Sequence, residues 1–239
     1  MIQEVQFTDE RWLEFWQNYK ALEHQKQAVI KLGRHIKEVD PCLLTESADW
    51  AHDFKSGVQL QQQAALVRNP LNVKWQSQLD NKSGTGYREC FSSSCAMLAM
   101  YWGKVPNDDA YNAIRQKHGD STSAQAQLAA LRSLGLKADF FTNGTPKALE
   151  AEIDAGRPVA VGWLHKGSAG APTGGGHWSV VIGYTDAAWI QNDPNGEALL
   201  VGGGYTPHTK GAGIVYSHKN WNPRWMVNGT GGWYLTCRP

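Results

Sequence analysis

No stretch of this chain approaches the roughly 18 consecutive apolar residues that a membrane-spanning helix needs, and its opening, Met1-Ile2-Gln3-Glu4-Val5-Gln6, has neither a basic leader nor an apolar run. The expectation is a soluble protein without a signal peptide or membrane insertion, cytoplasmic or virion-associated. Charge of one sign is also missing. Twenty-three Lys and Arg stand against 22 Asp and Glu, with no run of like charge, so neither a nucleic-acid groove nor a surface for acidic lipid is expected. Cysteine is scarce: Cys42, Cys90, Cys95 and Cys237 are too few and too scattered for a disulfide framework, and most should be free thiols. No C-x-x-C, no H-E-x-x-H and no cluster of carboxylates occurs, which argues against a metal site; no cofactor is expected. There is no fixed-period repeat and no low-complexity tail.

What the chain has in excess is 11 Trp and 25 Gly, a combination that points to tight turns packed against large flat side chains. Exposed Trp can stack on sugars, although burial in a core is its commoner use. At 239 residues the chain can bury a core without staples. Thr8 caps an expected helix with Trp12, Phe15, Trp16, Tyr19 and Leu22 on one face. A second, with Val29, Leu32, Ile36 and Val39 on one stripe, stops at Asp40-Pro41. Asp49 to Val67 holds a third, Gln-rich, before Arg68-Asn69-Pro70 breaks the chain. Two regions follow: residues 1–67, an N-terminal helical hairpin or extension suited to docking a protein partner, and residues 68–239, the main domain.

In the second region Leu71 to Gln76 alternates like a short strand, and Ser77 to Gly86 is a loop. Helices are expected after Cys90, over Asn107 to Lys117, over Ser123 to Leu134 with a cap at Gly135, and over Pro146 to Ile153. Strands are expected over Leu136 to Thr142, Arg157 to Trp163, His177 to Tyr184, Ala188 to Pro194, Gly213 to Tyr216 and Trp233 to Cys237, with a glycine-rich loop from Gly167 to Gly176. Helices first and an antiparallel sheet later make the fold class α+β.

The stretch Tyr87-Arg88-Glu89-Cys90-Phe91-Ser92-Ser93-Ser94-Cys95 runs from a small, hydroxyl-rich turn into an apolar, helix-forming segment closed by Gly103. Cys90 therefore stands at a helix mouth, where free N–H groups and the helix dipole favour a thiolate. It is either a nucleophile or a buried, inert thiol. Thiol catalysis of acyl transfer also needs a general base, a group that orients it and an oxyanion donor, roles that a His, a carboxylate or amide, and a Gln can fill. Gln78, Cys90, His177 and Asp193 occur in that order, His177 opening one strand and Asp193 ending the next. Alternatives exist at each position: Cys95 as nucleophile, His165, His208 or His218 as base, Asn192 as orienting group, Gln76 as oxyanion donor. Counting back from Gly103 puts Cys90 at the mouth and Cys95 inside the helix facing the core, with the wrong geometry for a disulfide between them.

Ser77-Gln78-Leu79-Asp80-Asn81, Cys90 through Gly103, Gly176-His177-Trp178-Ser179 through Tyr184, and Asn192-Asp193-Pro194 together resemble the papain-like cysteine peptidases related to double-glycine leader peptidases of bacteriocin exporters. The resemblance covers roughly residues 70 to 200. It implies a helical lobe facing a twisted antiparallel sheet, with Cys90 as nucleophile, His177 as general base, Asp193 as its orienting acid and Gln78 as oxyanion donor. In that family glycine usually follows the cysteine; here Phe91 does, before Ser92-Ser93-Ser94, which implies a differently shaped turn and oxyanion pocket.

The exporter's membrane helices and G-x-x-x-x-G-K loop are missing from this sequence, while the stretch from Arg224 to Trp233 and the N-terminal helices look like those of stand-alone phage or bacterial relatives. The expected substrate is a peptide, in the first place a peptidoglycan cross-link or stem peptide. A catalytically silent structural or binding module of a virion or cell-envelope assembly is the alternative.

Overall fold

Helix α1, Cys90–Tyr101, stands at the centre of the described residues, and Phe91 through Ala99 are all buried. A helix buried this fully is built of apolar residues and of polar ones that find partners, and α1 combines the two, with the Ser94 hydroxyl alone among its serines left without a partner. Cys95, Met97, Leu98 and Ala99 pack into the core, while Ser92 Oγ accepts from Gln127 Nε2 at 2.9 Å and Ser93 Oγ donates to Asp108 Oδ2 at 3.3 Å. The serines expected in a turn thus belong to the helix itself. In this computed structural model the described residues are 69–239 except Thr230; the helical hairpin expected over residues 1–67 lies outside them.

Around α1 stand α2, Asp108–Arg115, and α3, Ala124–Ser133, whose N-caps Asn107 and Ser123 accept from Ala110 N and Ala126 N. The chain then enters β1, Lys137–Gly144, and α4, Pro146–Asp154, capped by Thr145 with Pro at the start. Strands β2 (Val159–Trp163), β5 (His177–Tyr184), β6 (Ala188–Asn192), β7 (Ile214–Ser217) and β8 (Gly232–Arg238) complete a six-stranded sheet in the order β1-β8-β2-β5-β6-β7. Every pairing in it is antiparallel. Strands β5 and β2 pack against α1. Because β5 is covered on both faces, seven of its residues, His177 to Gly183, are buried, and beyond Ser179 its sequence reads as a continuous apolar run.

Three expectations need correction. Leu71 to Gln76 forms no ladder, being held by one backbone bond and by two side chains. Leu71 N donates to Ile182 O at 2.7 Å, Asn192 Nδ2 donates to Val73 O at 2.8 Å, and Trp75 Nε1 donates to Asp193 O at 2.7 Å. The glycine-rich loop contains a hairpin, β3 (Lys166–Ser168) with β4 (Ala171–Thr173). A helix not expected from sequence, α5 (His218–Trp225), follows β7 and packs on it and on β2. Its sequence is polar and carries Pro223, so neither periodicity nor propensity announces it. Among the described residues no helix is long and apolar enough to cross a membrane.

Candidate active site

Cys90 is the first residue of α1 and no side chain caps that helix, so its first N–H groups remain open to an anion. The preceding Glu89 does not cap because its carboxylate is engaged elsewhere. Only 1% exposed, it accepts from Asn81 Nδ2 at 2.7 Å, Ser83 Oγ at 2.8 Å, Thr85 Oγ1 at 2.9 Å and Asn112 Nδ2 at 3.4 Å. Arg115 Nη2 lies 3.8 Å from Oε1, the oxygen that accepts from Thr85. The loop from Asn81 to Thr85 is in this way laced to the helix mouth and to α2.

The same loop carries Gln78, 3% exposed. Its Nε2 donates to Gly86 O at 2.8 Å, which leaves one of the two amide hydrogens free. A side chain at Gly86 would collide with the Gln78 carbonyl, so the close approach requires glycine. Gln78 N donates to Pro194 O at 2.8 Å, tying this loop to the turn after β6.

That turn holds Asp193, fully buried. His177, at the start of β5, lies with Nε2 2.8 Å from Asp193 Oδ1. Asp193 Oδ1 also accepts from Asn195 N at 2.9 Å, and Oδ2 accepts from Tyr216 OH at 3.1 Å. Burial drives His177 toward its neutral form, but the Asp193 charge and hydrogen bond, with a smaller contribution from the nearby Cys90, reverse this and raise it to about 10. Trp163, paired with His177 across β2 and β5, sets its ring edge-on at 5.3 Å. Tyr205 packs edge-on against the same imidazole at 5.4 Å.

The structure thus brings Cys90, His177 and Asp193 together, with Gln78 joined to the same end of the fold through Pro194. The other candidates are committed elsewhere. Cys95 is wholly buried, and burial followed by Cys237 pushes its thiol well up. Gln76 Oε1 accepts from Asp108 N at 3.3 Å; Asn192 bonds Val73 O and Gly213 N. His208 is exposed and His218 packs on Trp189 at 4.8 Å. His165 stands beside His177 at 5.8 Å, but burial, then the neighbouring His177 and Lys166, lower it to about 4. Phe91, the departure after the cysteine, stacks on Trp178 at 3.6 Å between ring centroids and 7° between planes. Glu89 and Tyr216 were not singled out from sequence. The one available signal was that Glu89 adjoins Cys90.

From Cys90 a cleft of about 580 Å³ opens, lined by Phe91, Gly162, Trp178, Trp233 and the run Gly174 to Gly176. A thiol at a helix mouth, an imidazole bonded to a buried carboxylate and an open cleft beside them, on a helical lobe facing an antiparallel sheet, have the layout of a papain-like cysteine peptidase.

Comparison with known proteins agrees. The family model described as the Peptidase_C39 like family matches residues 70–200, and the chain belongs to that family of cysteine peptidases. Among solved structures, a putative C39-like peptidase from Bacillus anthracis is similar at 16% identity and TM-score 0.51, over 72% of this chain and 98% of that one. The peptidase domain of Streptococcus ComA, a bifunctional ABC transporter involved in quorum sensing, gives 19% identity and TM-score 0.48, over 70% and 99% of the two chains. A double glycine motif protease from an AMS/PCAT transporter, in complex with its leader peptide, gives 18% and 0.47, over 72% and 95%. No curated protein matches the chain.

Proposed function

We propose that Cys90, His177, Asp193 and Gln78 form the catalytic machinery of this peptidase and that its substrate is a cell-wall stem or cross-link peptide. The observation that carries the assignment is the 2.8 Å bond between His177 Nε2 and the fully buried carboxylate of Asp193. That bond leaves Nδ1 for the thiol of Cys90, which is near enough to help raise the imidazole.

With Nε2 donating to Asp193, Nδ1 takes the proton of Cys90. The thiolate attacks the scissile carbonyl carbon, and the resulting oxyanion is met by the free hydrogen of Gln78 Nε2 and by the Cys90 N–H. Collapse breaks the C–N bond while His177 Nδ1 gives its proton to the departing amine. Water, deprotonated by the same nitrogen, then attacks the thioester and releases the acid and the thiolate. Asp193 keeps the imidazole in the required tautomer and stabilises the imidazolium without itself taking the proton.

Cys90→Ala abolishes hydrolysis while the circular-dichroism spectrum and thermal midpoint stay close to wild type; an unchanged hydrolysis rate in that variant sinks the assignment. The substrate class is tested by incubating purified sacculi with the protein and labelling new amino termini. Their absence removes the cell-wall peptide.

A further inference from the structure

Strands β8, β2 and β5 lie side by side, and their registers align Trp233 with Gly162 and Gly162 with Trp178. Residues directly opposite across a ladder share a face of the sheet, so Trp233, Gly162 and Trp178 form one row. All three line the cleft that contains Cys90. The row has no side chain in its middle because there is no room for one: a Cβ on Gly162 would stand 2.7 Å from a ring carbon of Trp178. Trp178 leans over the glycine, with Phe91 stacked on it.

Trp233 is different in kind. It is 54% exposed, held edge-on by Phe140 at 6.0 Å, with its backbone carbonyl accepting from Trp225 Nε1 at 2.9 Å. A fixed indole left in water at the rim of a cleft is a surface waiting for a flat apolar partner.

Gly174, Gly175 and Gly176 also line the cleft. Open space lies where side chains would stand at Gly175 and Gly176, so this part of the lining is bare backbone, with peptide groups rather than methyls. Among the described residues, the one cation of the lining is Arg224. It donates to the carbonyls of Leu200, Leu164, Lys166 and Gly167, which uses all the N–H groups a guanidinium has. It has none left for an anionic ligand.

An aromatic face together with bare peptide groups, and no available charge, suits a ring with one apolar C–H face and a rim of hydroxyl and amide groups. We propose that the Trp233 end of this cleft is a saccharide subsite, which holds an N-acetylated hexopyranose covalently attached to the peptide that Cys90 cleaves. This rests on the reading of the protein as a peptidase of cell-wall peptides, and names the part of the substrate that the peptide chemistry leaves out.

The test uses the full chain carrying Cys90→Ala, so that no turnover occurs. It is titrated calorimetrically with a disaccharide-linked stem peptide, N-acetylglucosaminyl-N-acetylmuramyl-tetrapeptide, and with the same tetrapeptide free of sugar. The sugar-bearing ligand binds about tenfold more tightly, and adding Trp233→Ala weakens it about tenfold more than it weakens the free peptide. Trp233→Phe, which keeps an aromatic face, restores part of the difference. Equal affinity for the two ligands, no binding of the sugar-bearing one, or an equal loss on both with Trp233→Ala overturns the subsite. The outcome is separable from the nucleophile assignment: that assignment falls if Cys90→Ala still hydrolyses peptide, whereas the titration requires no catalysis.

Discussion

Two buried carboxylates flank the proposed catalytic pair, Glu89 beside the Cys90 thiol and Asp193 beside the His177 imidazole, and they are held in opposite ways. Glu89 accepts from the neutral side chains of Asn81, Ser83, Thr85 and Asn112, with its ionic partner Arg115 no nearer than 3.8 Å. Its bonds run to the loop that carries Gln78 and to α2. Asp193 has its ionic partner His177 at 2.8 Å, with Tyr216 and the Asn195 amide on its remaining lone pairs. A carboxylate satisfied by several neutral donors fixes a shape, whereas one bonded to a titrating imidazole fixes a protonation state. The difference teaches that burial of an acid next to a reactive group does not by itself make it part of the reaction; its partners decide.

Asp193→Asn breaks the comparison most severely. It takes away the charge that steadies the imidazolium, and kcat falls by about 10²–10⁴-fold with the fold retained. Steady-state hydrolysis of a peptide substrate measures this, and a loss confined to KM contradicts the role. Glu89→Ala acts on stability instead. It strands Arg115 as a buried cation and leaves its donors unmatched, and urea unfolding loses about 3–5 kcal/mol. Glu89→Gln, which keeps the shape and removes the charge, loses less, about 1–3 kcal/mol. Should Glu89→Gln instead leave stability intact and cut kcat as deeply as Asp193→Asn, the two carboxylates are alike and the distinction fails.

The smallest effect is in pH. His177 is raised to about 10, so its share of stability is complete below the unfolded imidazole value of about 6.5 and is lost as pH rises toward about 10. His165, lowered to about 4, works in the other direction and costs stability as pH falls below about 6.5. Thermal midpoints followed from pH 6.5 to 10 decline less steeply in His177→Gln than in wild type. Parallel curves for the two proteins rule out the His177 pair as a source of the decline.

Local pattern was enough to see the helix after Cys90, the central strand from His177 and the turn at Asp193, because each is marked by a run of apolar residues or by Gly and Pro at its border. It was not enough for Leu71 to Gln76, which alternates like a strand but is anchored by Trp75 and Asn192 side chains. Nor did it disclose α5, whose Trp221, Arg224 and Trp225 are buried in a segment that is otherwise polar. Glu89 was invisible for a related reason: a glutamate is ordinarily solvated, and only the convergence of donors from distant parts of the chain makes it a buried one.

What the sequence by itself determined is the order and kind of the parts: a thiol where a helix begins, an imidazole where a buried strand begins, an acid at the end of the next strand and an amide ahead of them all. These follow from residue type and short-range periodicity. Tertiary structure alone decided which ring nitrogen meets Asp193, which donors reach Glu89, and that Phe91, in the place of a glycine, stacks on Trp178. It also decided that Gly162 stands between Trp178 and an exposed Trp233. Contacts between residues tens of positions apart depend on register and packing, which no local pattern encodes.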